Sequence, residues 1–431
     1  MRLLIIGAGP GGYETAVEAV KRGMEVTLIT EGPLGGTCLN EGCIPTKTFC
    51  HYAELLEQNL KAGLDCKPSF AAAAERKQAV IEQLRGGIDM LLKNVQVVRG
   101  KAQFKDAKTV VCNGQEYTAD KIIIATGSVS AVLPIPGAEG CLTSKEILEL
   151  TEVPGSLCVI GGGVIGLEFA SIFRSFGSEV TVLEFCPNIL PRFDVDLAKR
   201  LKLSLSKRGI NIEVQAQVTR IDGNTVTYIK KDKESTVQAD KILMAVGRRP
   251  NTDGLNLEAA GIDYTRKGIT VNERFETSVP GIYAIGDVTG GIMLAHAATY
   301  QGLHALNAIC GKTDSIRFDL VPAAVFTMPE VAMVGLTEEQ CKEQQLEFRC
   351  LKSFYRANGK AVSMDETDGY CKVIVDNNGK VLGAHIMGAH ASDLIHEITT
   401  AINLGASLDQ LQSVIHAHPT LSEVLQSALH Q

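Results

Sequence analysis

The chain has 431 residues, too many for a single hydrophobic core, so roughly two to four domains are expected. Its composition is that of an ordinary globular protein, 45% hydrophobic and 21% charged with no Trp, and the net charge of −7 is mild. No basic stripe points to nucleic acid, no Lys/Arg cluster to an anionic membrane, and the apolar N-terminal run Leu3–Ile6 is far too short to cross a bilayer.

That run reads as a buried strand, not a signal peptide. It enters Gly7-Ala8-Gly9-Pro10-Gly11-Gly12, then an amphipathic helix, then a second strand from Val26. This is a βαβ unit carrying Gly-x-Gly-x-x-Gly. Gly7 permits the tight turn, Gly9 lets a pyrophosphate approach the backbone, and Gly12 lets the helix pack closely on the strand. Phosphates would rest on the helix N-terminus. The carboxylate that would grip a ribose is displaced. Thr30 holds the position and Glu31 follows one place late, so either is a candidate.

Cys38 and Cys43 follow, in Gly35-Gly36-Thr37-Cys38-Leu39-Asn40-Glu41-Gly42-Cys43-Ile44-Pro45-Thr46-Lys47. Residues five apart in a regular helix have Cα atoms roughly 8–9 Å apart, and a disulfide needs less than about 7 Å. The pair therefore cannot bridge inside one helix. Gly36 and Gly42 permit an irregular turn, and Pro45 suits a first helical turn. Cys43 is thus expected at a helix N-terminus, where the dipole favours a thiolate, with the Lys47 charge one turn on. The bland alternative is a structural crosslink or two buried thiols. Glu41 could raise the thiol pKa values or point to solvent. The chain has 12 cysteines but no Cys-x-x-Cys, so no metal site is expected. Single cysteines such as Cys158 and Cys371 read as buried reduced thiols of a cytoplasmic protein.

Residues near 50–95 have helical periodicity. A strand at 121–124 leads to Ala125-Thr126-Gly127. Leu157–Phe185 then repeats the opening unit, with Gly161, Gly163 and Gly166 in the fingerprint positions and a second strand from Val180. Here the acid, Glu184, stands where it should, and no basic residue follows until Arg192. A 2′-phosphate would meet a carboxylate and no cation, which favours NAD over NADP. Glu168, early in the second helix, could instead be an acid favoured by the dipole. A matching strand at 241–244 leads to Gly247 and Arg248-Arg249-Pro250-Asn251. A strand at 282–285 ends in Gly286-Asp287, where the aspartate could equally open an Asx turn.

From about Leu320 the character changes. Short strands at 371–375 and 381–387 flank the turn Asp376-Asn377-Asn378-Gly379, and helices follow near 391–404 and after Pro419. The last motif is His416-Ala417-His418-Pro419-Thr420-Leu421-Ser422-Glu423. Thr420 to Glu423 also spells a capping box.

With these motifs in order, the chain resembles the pyridine nucleotide–disulfide oxidoreductases over essentially its full length, and most closely their dihydrolipoamide-oxidising branch. The resemblance implies an α/β fold of two Rossmann-like dinucleotide-binding domains, for FAD and NAD, plus a C-terminal α+β interface domain. It implies an FAD domain over 1–141 holding the redox disulfide, an NAD domain over 142–266, a segment 267–318 completing the FAD domain, and a dimerisation domain over 319–431. It assigns the first glycine motif (Gly7, Gly9, Gly11, Gly12), Thr30 or Glu31, Thr37, Lys47, Thr126, Gly127, Gly286 and Asp287 to FAD, with Asp287 on its ribitol or phosphate. Gly161, Gly163, Gly166, Glu184 and Gly247 go to the second nucleotide.

It further implies that Cys38 exchanges with the substrate thiol while Cys43 faces the flavin as a thiolate. Lys47 and Glu168 would pair near the flavin. His418, which titrates near neutrality when free, would be the base, and Glu423 would orient it. His416 reads as support and His296 as a packing histidine. The expected reaction is oxidation of dihydrolipoamide, free or on a lipoyl-bearing domain, by a homodimer whose active site is shared across subunits. The alternatives are a reductase of another small disulfide, such as glutathione, or a weakly active docking subunit of a multienzyme complex.

Overall fold

The protein, described by a computed structural model over residues 1–64 and 69–431, is built around three sheets of four or five strands, with smaller sheets attached. In the first, five parallel strands lie in the order Ile282–Ala284, Lys121–Ile124, Arg2–Ile6, Glu25–Thr30 and Gln96–Arg99. Leu3 to Ile6 are buried, as an all-apolar parallel strand covered on both faces must be. The strand Arg2–Ile6 pairs with Glu25–Thr30 on one side and Lys121–Ile124 on the other, so the strand order reverses at its C-terminal end. In open parallel sheets that is where ligands bind. The helix Pro10–Lys21 packs against Ala295–Ile309, where Gly302 leaves room for the Thr15 hydroxyl.

The second sheet repeats the plan with four parallel strands: Ile210–Val214, Glu179–Glu184, Ser156–Ile160 and Lys241–Met244. Both second strands start one residue earlier than their apolar pattern suggests, because exposed Glu25 and Glu179 extend the pairing at its solvent end. The helical stretch expected near 50–95 resolves into Cys43–Lys61 and Phe70–Leu91, and its residues 65–68 lie outside the described ones.

Each nucleotide-type sheet carries an antiparallel three-stranded sheet, Ala102–Phe104 with Thr109–Cys112 and Gln115–Thr118, and Gln217–Asp222 with Thr225–Lys230 and Lys233–Gln238. A local signal marked the first. Asn113-Gly114 alone separates two strands, and both residues have positive φ, 52° and 78°. This is the pattern of a two-residue hairpin.

The C-terminal sheet is antiparallel, in the order Ala323–Val325, Val331–Gly335, Val381–Met387, Tyr370–Asp376 and Phe348–Phe354. Helices Ala391–Leu404 and Glu423–Leu429 cover it. Where it meets the second nucleotide-type sheet, fully buried Lys372 places Nζ 2.5 Å from Asp194 Oδ1 and 3.2 Å from Glu338 Oε2. Asp194 also caps the helix Val195–Lys207 through Leu197 N and accepts from Glu338 N.

Candidate active site

The two glycine motifs form matching cradles. An added Cβ at Gly7 would collide with Ala125 O, and at Gly161 with Ala245 O; both glycines have φ near +110°, at 109° and 111°. At Gly12 and Gly166 it would strike the carbonyl of Gly7 or Gly161. At Gly9 and Gly163 it would meet nothing within 4 Å. These two middle glycines are the N-caps of Pro10–Lys21 and Val164–Ser175, with no capping side chain and no acid in either first turn. The helix-end N–H groups are thereby left to an anion from outside, which fits a pyrophosphate. Both cradles open on one cleft of about 2490 Å³. Small-molecule pockets run to roughly 300–1,000 Å³, so this cleft has room for more than one ligand.

The ribose positions differ between the cradles. Thr30 is buried and donates its hydroxyl to Gly32 O at 3.1 Å, whereas Glu31 is exposed at the cleft wall. Buried Glu184 accepts from Gly162 N and Cys186 N, each at 2.6 Å. Its carboxylate therefore braces the glycine turn as well as facing the cleft.

Cys38 lies in the short helix Gly36–Glu41, and Cys43 is the first residue of Cys43–Lys61. Gly42 between them is at φ −149°, ψ −106°, which breaks the helix and lets the sulfurs approach. Both cysteines are free. The neighbouring Cys38 thiol first, then Lys47, lower the Cys43 pKa against burial, to about 7, while Cys43 and burial push Cys38 up. Both shifts run in the direction that favours a thiolate on Cys43 over one on Cys38.

Lys47 and Glu168 meet as expected, with Nζ 2.9 Å from both carboxylate oxygens. Burial opposes the Lys47 charge, but Glu168 more than offsets it and the ammonium is held above the usual lysine value. Phe326, whose role no motif announced, closes the arrangement. Its N–H donates to Glu168 Oε1 at 3.0 Å, its ring lies 4.4 Å from Lys47 Nζ, and its carbonyl accepts from Cys50 Sγ.

Other neighbours fix the redox segment. Asn40 donates to the carbonyls of Leu34 and Gly36 and accepts from Arg85 at 2.6 Å. Glu41 pairs with Lys145 at 2.7 Å and lines the cleft, partly exposed, so it does not simply point to solvent. Thr37 is exposed at the cleft.

The loops after the two return strands are stitched together. Thr126 Oγ1 donates to Asn251 O, Asn251 N to Gly127 O, and Ala131 N to Gly247 O. Gly127 and Gly247 both have positive φ and face open space. Asp287 accepts from Ser128 Oγ at 2.5 Å and lines the cleft, and Gly286 N is held by Gln301. His296 reaches Pro322 O at 2.9 Å, but it is exposed at the cleft wall and does not pack inside this chain, contrary to its reading as a packing histidine.

His418 Nδ1 lies 2.9 Å from Glu423 Oε1, while Glu423 Oε2 accepts from Thr420 N at 2.8 Å. The expected His418–Glu423 contact forms, and the capping-box reading is met in one half only. Glu423 reaches back as in a capping box, but Thr420 donates to Ala417 O and does not cap. The Thr420 N–H first, then His418, hold the Glu423 carboxyl below its usual range. The His418 side chain is 78% exposed and does not line the cleft of its own chain. His416 is separately paired with Glu397 at 2.8 Å. Among the described residues, no helix is long and apolar enough to cross a membrane.

Residues 1–302 match the family described as pyridine nucleotide-disulphide oxidoreductase, and residues 321–429 match its dimerisation domain. The chain is 42% identical over 444 residues to a dihydrolipoyl dehydrogenase of Geobacillus stearothermophilus, covering 99% of this chain and 94% of that protein. It is 39% identical to the mitochondrial dihydrolipoyl dehydrogenase of Pisum sativum, covering 99% and 90%. Among solved structures, the HOCl-induced flavoprotein disulfide reductase RclA of Escherichia coli superposes with TM-score 0.91 at 34% identity, covering 100% of this chain and 99% of that one. LpdA of Mycobacterium tuberculosis also gives 0.91, at 30% identity and the same coverage.

Proposed function

The chain belongs to the pyridine nucleotide-disulphide oxidoreductases, a family of FAD flavoproteins, and within that family we propose that it oxidises dihydrolipoamide with NAD+. The observation that carries this reading is the Cys38–Cys43 pair at a helix N-terminus, with Lys47 and Glu168 at its back. Identity near 40% to dihydrolipoyl dehydrogenases along the whole chain supports the choice of substrate. Glu184 supports NAD over NADP.

In the oxidised enzyme, a substrate thiolate attacks Cys38 Sγ. The Cys38–Cys43 bond breaks and its electron pair leaves on Cys43. The second substrate thiolate attacks the substrate sulfur bound to Cys38, which closes the lipoamide disulfide and releases Cys38 as a thiolate that takes up a proton. His418 of the partner subunit accepts protons from the attacking thiols, and Glu423 holds its ring. The exposure of His418 and its absence from its own cleft support this placement across a dimer. Gly9, Thr37, Thr126, Gly127, Gly286 and Asp287 would hold FAD, which would supply the two-electron chemistry that links the thiols to NAD+. Lys47 stabilises the Cys43 thiolate. The cysteines scattered singly along the sequence support a cytoplasmic setting.

The test is a steady-state assay of dihydrolipoamide with NAD+ against NADP+, alongside Cys43→Ser. Loss of turnover in the variant and preference for NAD+ are expected. Strong preference for oxidised glutathione with NADPH would overturn the assignment. RclA, named as a disulfide reductase, keeps that second reading in the assay.

A further inference from the structure

Fully buried Lys372 takes no part in the thiol chemistry, yet its partner leads to the second glycine cradle. Lys372 and Tyr370 share one face of the strand Tyr370–Asp376, and both reach the start of the helix Val195–Lys207. Lys372 Nζ donates to Asp194 Oδ1 at 2.5 Å, and the Tyr370 hydroxyl donates to Asp196 Oδ2 at 2.8 Å. Between them, Val195 N donates to Glu339 Oε2 at 3.4 Å. The C-terminal part of the chain thus grips the helix start at consecutive residues. The segment just before it runs to the cradle. Phe193 N donates to Leu190 O at 2.8 Å, and Leu190 N donates to Gly162 O at 2.9 Å. Leu190 has φ 47°, a left-handed conformation that a leucine keeps only where its surroundings hold it. Gly162 lies inside the second fingerprint, and Glu184 already holds its N–H at 2.6 Å. The glycine turn is therefore braced by Glu184 on its N–H and by Leu190 on its carbonyl. Leu190, Pro191, Arg192 and Phe193 also wall the cleft.

We propose that Lys372 is a positioning residue for the second nucleotide, fixing through Asp194 the segment that ties Leu190 to the Gly162 turn, so that the C-terminal sheet sets how tightly NAD+ is held. The inference rests on NAD+ occupying the second cradle, as proposed above. A buried ion pair gains little stability over well-packed apolar residues of similar volume, so a fixed geometry is what this one supplies. Asp194 is the joint, because the same carboxylate takes the Lys372 cation and caps the helix through Leu197 N.

The experiment titrates NAD+ into the full-length oxidised holoenzyme by calorimetry, with no turnover involved. Lys372→Met is expected to raise the Kd for NAD+ about tenfold, the scale of one hydrogen bond to a charged group. Iodoacetamide alkylation of Cys43 in the reduced protein should proceed at the wild-type rate, because the thiol pair lies on other elements. The decisive variant is Lys372→Met with Asp194→Leu, which leaves no unpaired buried charge; Glu338 keeps its exposed partner Lys342 at 2.8 Å. It should regain part of the stability lost by Lys372→Met, read from denaturant midpoints, and still bind NAD+ weakly. A merely structural role would restore affinity together with stability, and that result would overturn the proposal. Wild-type affinity in Lys372→Met, or a Cys43 alkylation rate that falls in step with NAD+ affinity, would overturn it too. Lys342→Met should match the wild type. If Lys372→Met does not fold, the double variant decides alone. A wild-type protein that binds no NAD+ sinks the reading of the cradle; a wild type and variants that bind it equally sink only the role of Lys372.

Discussion

Lys47 Nζ is equidistant, at 2.9 Å, from the two carboxylate oxygens of Glu168, a residue 121 positions away. The pair joins the helix that begins with Cys43 to the helix that begins the second glycine cradle. The Phe326 N–H on Glu168 adds the C-terminal part of the chain. One ion pair therefore registers three parts of the molecule around a thiolate.

Lys47→Met should raise the Cys43 pKa above its value of about 7, since Lys47 is one of the groups lowering it. It also strands the buried Glu168 carboxylate, at a cost of about 3 kcal/mol. The rate of iodoacetamide alkylation at Cys43 against pH, resolved by peptide mass spectrometry, reports the first effect. Thermal melting reports the second. An unmoved alkylation midpoint would show that the cation does not act on the sulfur.

The reduced pair also predicts a pH dependence of stability. Cys43 titrates lower in the fold than in the unfolded chain, so its contribution is present above the unfolded thiol value and is lost as pH falls through about 7. The raised Cys38 works oppositely, and its contribution is lost only at pH above the unfolded value. Urea midpoints of the reduced protein should therefore rise between about pH 7 and the ordinary thiol range near 8.5. The same series on Cys43→Ser should lose that rise.

His418→Gln is expected to lower kcat/KM for dithiol oxidation by about 10²-fold or more, the usual scale for a lost general base. NADH oxidation by ferricyanide bypasses the thiols and should be retained. Equal loss in both assays would point to a collapsed site and not to a missing base. Glu423→Gln should lose less, because it spares the imidazole and weakens only its orientation.

Glu184→Ala removes an acceptor shared by Gly162 N and Cys186 N. KM for NAD+ should rise about tenfold, the scale of a charged hydrogen bond, and discrimination against NADP+ should narrow. Initial rates with both nucleotides measure the ratio directly. An unchanged ratio would place the ribose contact elsewhere.

Lys372→Met leaves Asp194 as a buried charge without its cation and should destabilise the protein by about 3–5 kcal/mol. The double change Lys372→Met with Asp194→Leu should recover part of that loss, because no unpaired charge remains. Denaturant midpoints of the two variants make the comparison.

Much of this molecule is legible along the chain. The two glycine fingerprints demand particular φ values and close approaches within a few residues, and they fold as written. Gly42 breaks the helix and Cys43 starts the next one, because both are local events of backbone freedom and helix ends. The Asn113-Gly114 hairpin was equally local, and a search for two-residue turns finds it. Lys372 was opaque for the opposite reason. In the strand Tyr370–Asp376 it is one charged residue in an apolar run, and nothing nearby says that Asp194 will come to meet it.

The division follows from distance along the chain. Sequence alone determined the duplicated βαβ plan, the placement of the thiol pair at a helix N-terminus, and the choice of Glu184 over a cation, since each depends on the covalent neighbours of the residue. Tertiary structure alone decided that Phe326 closes over Lys47 and Glu168, that Arg85 reaches Asn40 in the redox segment, and that fully buried Lys372 meets Asp194. Those contacts join residues brought together by the packing of one sheet on another, and the geometry of that packing is a property of the assembled core, not of any segment in it.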